Sequence, residues 1–199
     1  MIRSPIVMAA PKILVIPGSL RTGSHNARLA ALAVKELLLA EADVTRISFA
    51  DYPLPMYDAD LEASAMPNHA RQLKRMIEAH PGVLIVTPEY NASVPPLVKN
   101  AIDWVSRVRE NGEAPLAVFK HRVFALGAAS PGPFGGMRSL LALRQVLEIG
   151  CGALVIPEQV TVARADQAFD DRDNLRDEHL AALLKTVARR LVEAAQQMT

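Results

Sequence analysis

Three aliphatic runs, Lys12 to Ile16, Val83 to Val86 and Val123 to Leu126, lack the polar alternation of a half-exposed strand. Apolar runs of this length without period two read as strands buried on both faces, the signature of a parallel sheet covered by helices. Each opens into a segment rich in Gly, Pro, Ser or Asn, and each segment leads into a pattern of helical period. The middle one is the most unusual. Pro88 pushes Thr87 toward extended geometry and ends the strand. Glu89-Tyr90-Asn91 then places a carboxylate, an aromatic ring and an amide in consecutive positions. Ser93 is a plausible N-cap, with Pro95 and Pro96 near the first helical turn, where a missing N–H matters least. Leu97, Ala101, Trp104 and Val108 share one face of the helix that follows. A loop at the carboxyl end of a buried strand is where open α/β sheets bind ligands, although the same pattern also serves as a plain strand-to-helix connection.

The rest of the chain alternates in the same way. A helix ending near Ala40 carries Leu29, Ala33 and Leu37 on one stripe. Val44 to Phe49 alternates, as a strand nearer a sheet edge would. Asp51 to Pro67 reads as a turn-rich connection, and His69 to His80 as a helix with Leu73, Met76 and Ile77 inward. Arg109 to Lys120 is polar enough for a loop. A helix with Leu140, Leu143, Val146 and Leu147 precedes a fifth strand, Ala153 to Ile156. After a loop holding Asp170, Asp171 and Asp173, an amphipathic helix runs from about Arg176 to Ala195, its stripe formed by Leu180, Leu183, Leu184, Val187 and Leu191. Five strands alternating with five helices imply an α/β sandwich of three layers with right-handed crossovers. The flavodoxin-like order 2-1-3-4-5 is the natural one for five strands. In that order strands one, three and four are central, and the three unusual loops converge on one rim.

Composition narrows the function classes. The 199 residues suit one domain spanning 1–199, with 1–11 as a leader arm before the first strand. Lys plus Arg number 22 against 21 Asp plus Glu, a formal net charge of +1, so neither nucleic-acid nor membrane-surface binding is indicated. No stretch approaches the roughly 18 apolar residues of a membrane helix. The single cysteine, Cys151, excludes an intramolecular disulfide framework and suits a cytoplasmic location; between two glycines beside an apolar run, it reads as a packed thiol. The five histidines show no ligand spacing, so no metal site is expected. No Ser-His-Asp set can be argued from spacing, although such sets need not be local in sequence.

The first loop, Gly18 to Asn26, joins a buried strand to a helix N-terminus, whose free N–H groups and dipole favour an anion such as phosphate. Ser19, Ser24 and Asn26 add hydrogen-bonding side chains, and Arg21 adds a fixed charge. Gly18 and Gly23 are spaced as in a Walker P-loop, but Ser24 stands where its Lys would be, and Gly-x-Gly-x-x-Gly is missing. A helix cap beside a solvated Arg is the plainer reading of the same residues.

Taken together, Gly18-Ser19-Leu20-Arg21-x-x-Ser24-x-Asn26, Pro88-Glu89-Tyr90-Asn91-x-Ser93 and Lys99-Asn100-Ala101-Ile102-Asp103-Trp104 resemble the NADPH-dependent FMN reductases, flavodoxin-like enzymes that include quinone, chromate and azo-dye reductases. Ser130-Pro131-Gly132 with Gly135-Gly136, Leu143 to Leu147, and Ala168-Phe169-Asp170 extend the similarity over nearly the whole chain. The resemblance implies that Ser19, Arg21, Ser24 and Asn26 hold the FMN phosphate, that Pro88, Glu89, Tyr90 and Asn91 line the isoalloxazine ring, and that the Ser130 loop closes its other edge. His25 stands among the phosphate residues where an aromatic is common, and Pro96 where Gly is usual. The resemblance further implies bound FMN, NADPH or NADH as reductant, a quinone or similar small-molecule acceptor, ping-pong kinetics, and a homodimer or homotetramer. No residue is expected to act as a catalytic acid; Glu89 is expected to face solvent or a partner subunit, and Trp104 to be core or a subunit contact. A non-enzymatic flavodoxin-type electron carrier is an alternative, disfavoured by the near-neutral charge, and a phosphate-dependent hydrolase or nucleotide-binding protein is another.

Overall fold

The computed structural model describes residues 9–110 and 112–198; most of the expected leader arm, residues 1–8, lies outside them. Strands Lys12–Pro17 (β1), Asp43–Arg46 (β2), Gly82–Val86 (β3), Val123–Ala129 (β4) and Leu154–Val162 (β5) form one parallel sheet in the order β2-β1-β3-β4-β5. This is the expected order. Successive residues of the central strands point to opposite faces, so both faces are apolar. Ile13, Val15, Leu84 and Val86 pack with Leu29, Leu37, Leu184 and Leu191, from helices His25–Leu39 (α1) and Glu178–Gln196 (α7). Leu14, Ile16, Val83 and Ile85 pack instead under Asn68–Glu78 (α3), Pro96–Arg107 (α4) and Met137–Gln145 (α6), through Leu73, Val98, Ile102 and Leu140. Each fully buried Leu of these layers contributes about 2 kcal/mol of apolar transfer free energy.

Local chemistry sets where the elements stop. Helix α1 is rich in Ala and Leu, strong helix formers, and ends at Ala40 because Glu41 turns into the left-handed region at φ 63°. Several boundaries differ from the sequence reading. The second strand ends at Arg46, and Phe49 instead starts a 3-10 turn, Phe49–Asp51, that drops its ring into the α3–α4 core. The turn-rich connection contains a short helix, Ala59–Ser64 (α2), capped by Asp58. The polar loop after α4 closes with another, Ala117–Lys120 (α5). Among the described residues there are thus seven α-helices rather than five. A π-helical turn, Val146–Gly150, ends α6, and β5 runs well beyond Ile156. Ser93 does not cap α4; Pro95 holds that position and Pro96 opens the helix, a place where proline loses nothing. Trp104 is core: fully buried, it donates from Nε1 to the Pro55 carbonyl at 2.8 Å and meets Tyr57 edge-on at 5.1 Å.

One glycine decides how α6 meets the sheet. Gly136 lies at φ 90°, and a Cβ there would stand 2.6 Å from the Cβ of Ala128 on β4. A strand residue cannot step aside, so both sterics and backbone conformation require glycine. Gly136→Ala is expected to cost about 3 kcal/mol, the sum of overpacking and left-handed strain, read as a shift in the urea midpoint at unchanged m-value.

Candidate functional site

The loops after β1, β3 and β4 meet at the carboxyl rim of the sheet and are tied to one another by short contacts. The Gly18 amide donates to the Val86 carbonyl at 2.7 Å, joining the first loop to the end of β3. A Cβ on Gly18 would stand 2.6 Å from Val98 Cγ2 and 2.9 Å from Thr87 Oγ1, so no larger residue fits this crossing. The buried Asn26 amide donates from Nδ2 to the Ala129 carbonyl at 2.8 Å and accepts the Ala129 amide on Oδ1 at 2.9 Å. That pair fastens the first turn of α1 to the last residue of β4. Glu89 reaches across to α6. The strand order reverses between β1 and β3, and α1 and α4 leave on opposite faces, so a crevice opens between their loops, as at the switch point of any doubly wound sheet.

The helices that leave this rim differ in what satisfies their first N–H groups, each of which needs a partner outside the helix. At α4, Pro95 and Pro96 carry no N–H. At α6, Gly136 has no side chain to offer, yet the cap is complete: Glu89 Oε2 accepts from the amides of Arg138 at 3.0 Å and Ser139 at 3.3 Å. At α1, Ser24 occupies the N-cap position in extended geometry but makes no side-chain cap bond, and no carboxylate lies in the first turn. Beside it, His25 Nδ1 is buried and has no hydrogen-bond partner among the described residues. Burial, then the charges of Arg21 and Arg28, hold the His25 imidazole below its ordinary value, opposed by Asp166. Arg28 is already paired with Asp173, so a buried ring nitrogen without a partner, a helix start without a side-chain cap and the exposed Arg21 together make a cradle that an anion fits.

The third loop presents a ring. Asn91 and Ala92 both take positive φ, 49° and 62°, between Tyr90 and Ser93, whose backbones pair at 3.1 and 3.0 Å. Two left-handed central residues are the mark of a type I′ turn, and for Ala92 that conformation stores about 1 kcal/mol or more of strain. The turn lifts Tyr90 to half exposure at the rim. On the other loops of the rim Leu20, Phe134 and Met137 are also exposed apolar side chains. Ser130 begins the β4 loop; its hydroxyl accepts the Gly132 amide at 3.2 Å and its carbonyl accepts the Ala165 amide at 3.1 Å.

All ten residues expected at the site thus lie at this rim: Ser19, Arg21, Ser24, Pro88, Glu89, Tyr90, Asn91 and Ser130 on its loops, His25 and Asn26 at the start of α1. The side chains of Ser19, Arg21 and Ser130 make only short-range bonds within their own loops, whereas two others are engaged by distant elements. The Asn26 amide is satisfied by Ala129, and the Glu89 carboxylate does not face solvent as expected: it is 7% exposed and paired with Arg138. Burial alone would raise the Glu89 carboxyl, but the Arg138 guanidinium and the Ser139 and Arg138 amides outweigh it and hold the group below the usual carboxylate range. Arg138 and Ser139 themselves escaped the sequence reading. The signal was Gly135-Gly136 before an apolar helical stripe, a helix start with no capping residue of its own.

Comparison with known proteins agrees with this geometry. The profile of a family described as NADPH-dependent FMN reductase matches residues 11–167. An NAD(P)H-dependent FMN reductase of Pseudomonas aeruginosa is 35% identical over 176 residues, 87% of this chain and 89% of that one. A quinone reductase of Escherichia coli is 38% identical over 138 residues, 68% of this chain and 69% of its own. Among solved structures, the flavoenzyme FerB of Paracoccus denitrificans, an NAD(P)H:(acceptor) oxidoreductase, superposes with a TM-score of 0.75 at 30% identity, covering 94% of this chain and 98% of that one. The chain belongs to the NADPH-dependent FMN reductase family.

Proposed function

We infer that the protein is an NAD(P)H-dependent flavin oxidoreductase that holds FMN at the carboxyl rim and passes electrons to a quinone or similar small acceptor. The observation that carries this reading is the uncapped start of α1 with the unpartnered His25 Nδ1, beside helix starts that are already closed. In this reading the backbone amides of His25 and Asn26, the Ser19 and Ser24 hydroxyls, the His25 ring and Arg21 grip the phosphate. Asn26 contributes by fixing that turn against β4 rather than by direct contact. Residues 88–91 and the Ser130 loop bracket the ring, with Tyr90 as the projecting aromatic. FMN held there would supply the hydride chemistry between a nicotinamide and the acceptor. No acid–base residue is required of the chain. Because one rim serves both substrates, the oxidised nicotinamide leaves before the acceptor arrives. The homologues named as quinone reductases support the acceptor class.

The exposed apolar side chains Leu20, Tyr90, Phe134 and Met137 support assembly as a homodimer or homotetramer in which a second copy helps cover the rim. Among the described residues no helix is long and apolar enough to cross a membrane. A cytoplasmic location is our reading from the single, buried cysteine.

Steady-state oxidation of NADPH with benzoquinone as acceptor is expected to give parallel double-reciprocal lines; a yellow protein with no turnover would favour an electron carrier instead. Arg21→Ala is expected to weaken FMN about ten- to a hundredfold, the loss of one charged hydrogen bond, while riboflavin affinity stays unchanged. Equal FMN affinity in the two proteins would remove Arg21 from the site. Tyr90→Ala is expected to keep the fold but slow flavin reduction in stopped flow, and wild-type rates would count against the ring. In the apoprotein the His25 value lies below that of the unfolded chain, so this group costs stability as pH falls below about 6.5. A phosphate dianion beside it reverses that sign by favouring the imidazolium. The His25 ring resonances are therefore expected to titrate at higher pH with FMN bound than without, and an unmoved midpoint would exclude contact with phosphate.

A further inference from the structure

Glu89 is the most heavily engaged side chain on the rim. Oε2 accepts the Arg138 and Ser139 amides; Oε1 accepts Arg138 Nε at 2.8 Å and a second guanidinium N–H. The neighbouring backbone is fastened too, since Ser139 Oγ donates to the Pro88 carbonyl at 2.9 Å. Arg138 in turn lies 4.9 Å over the Phe134 ring. The two amides are those that a residue at the N-cap of α6 would satisfy, but that residue is Gly136, which the contact with Ala128 restricts to glycine. The cap therefore comes from a loop 49 residues earlier in the chain.

Without a carboxylate there, the rim would hold a helix dipole and a guanidinium together at α6. That combination attracts phosphate at least as strongly as α1 does, with its backbone amides and the exposed Arg21. A phosphate at α6 would draw the cofactor into the wrong orientation across the crevice. We propose that Glu89 is a positioning residue for cofactor binding: it is the chain's own anion at α6, closing that helix start to phosphate and anchoring residues 88–89 so that the strained Tyr90–Ser93 turn projects from a fixed base. This rests on the reading that FMN binds at the rim. Two separate consequences follow. Loss of the carboxylate should loosen the ring-binding loop, and it should create a second anion site.

Both are read by titrating the apoproteins of wild type, Glu89→Ala and Glu89→Gln with riboflavin, FMN and inorganic phosphate. In Glu89→Ala, riboflavin affinity is expected to fall about tenfold through lost preorganisation, while the FMN-to-riboflavin affinity ratio, which reports the grip at α1, stays near the wild-type value. Calorimetry with inorganic phosphate is expected to find one more equivalent bound than in wild type. A second phosphate is a readout that general loosening of the fold would not produce. Unchanged riboflavin affinity, or no additional phosphate, overturns the proposal. Should Glu89→Ala fail to fold, the same two readings on Glu89→Gln, which keeps the shape and loses the charge, decide the matter. A wild-type protein that bound neither FMN nor riboflavin would strike down the cofactor site and this inference with it. That outcome is distinct from one in which wild type binds both and the variants do not differ from it.

Discussion

The unsatisfied amides at the start of α1 are the constraint around which the rim is arranged. A helix start must find acceptors for its first amides, and among the described residues three of the other six α-helices take them from carboxylates: Asp58 for α2, Asp177 for α7 and Glu89 for α6. Ser24 could do the same for α1 but does not. Leaving donors unpaired costs stability comparable to a lost hydrogen bond for each group, and such a cost persists where a ligand recovers it. Because the strand order reverses between β1 and β3, the start of α1 borders the crevice at the switch point.

Around that point the chain shows rigidity of a particular kind. Gly18 to Val86, Asn26 to Ala129 and Glu89 to α6 are bonds between loops, not within them. Each fastens a loop at its base and leaves the tip free, so Arg21 and Tyr90 project from anchored positions. Preorganisation of that sort lowers the ordering cost of binding without adding contacts to the ligand. It also separates roles among residues that look alike in sequence. Asn26 and Glu89 stand beside Arg21 and Tyr90 in their motifs, yet they work through backbone they hold.

Much of this was legible in the residues alone. The unalternating runs at Ile13, Val83 and Val123 point to strands buried on both faces, and the helices between them make a parallel sheet with few possible strand orders the natural arrangement. The convergence of the three central loops follows from that order, while the ten candidate residues on them came from the loop chemistry together with the family resemblance. What was not legible has two physical origins. Helices α2 and α5 span six and four residues, fewer than two turns, too short for a 3.6-residue period to register. The Glu89–Arg138 pair is non-local, and spacing carries no information about a partner 49 residues away. Phe49 misled for a related reason: a buried aromatic after an alternating run continues the strand pattern, and only the tertiary pocket beneath α3 and α4 turns the chain there.

The central claim is a matter of which helix start receives the phosphate, and amide spectra resolve it directly. Uniformly 15N-labelled apoprotein would be titrated first with riboflavin and then with FMN, and the difference between the two end points isolates the phosphate. The expected result is that the amides of Ser24, His25 and Asn26 move between the two end points while those of Arg138 and Ser139 stay in place. Movement of Arg138 and Ser139 with the α1 amides unmoved would contradict the account.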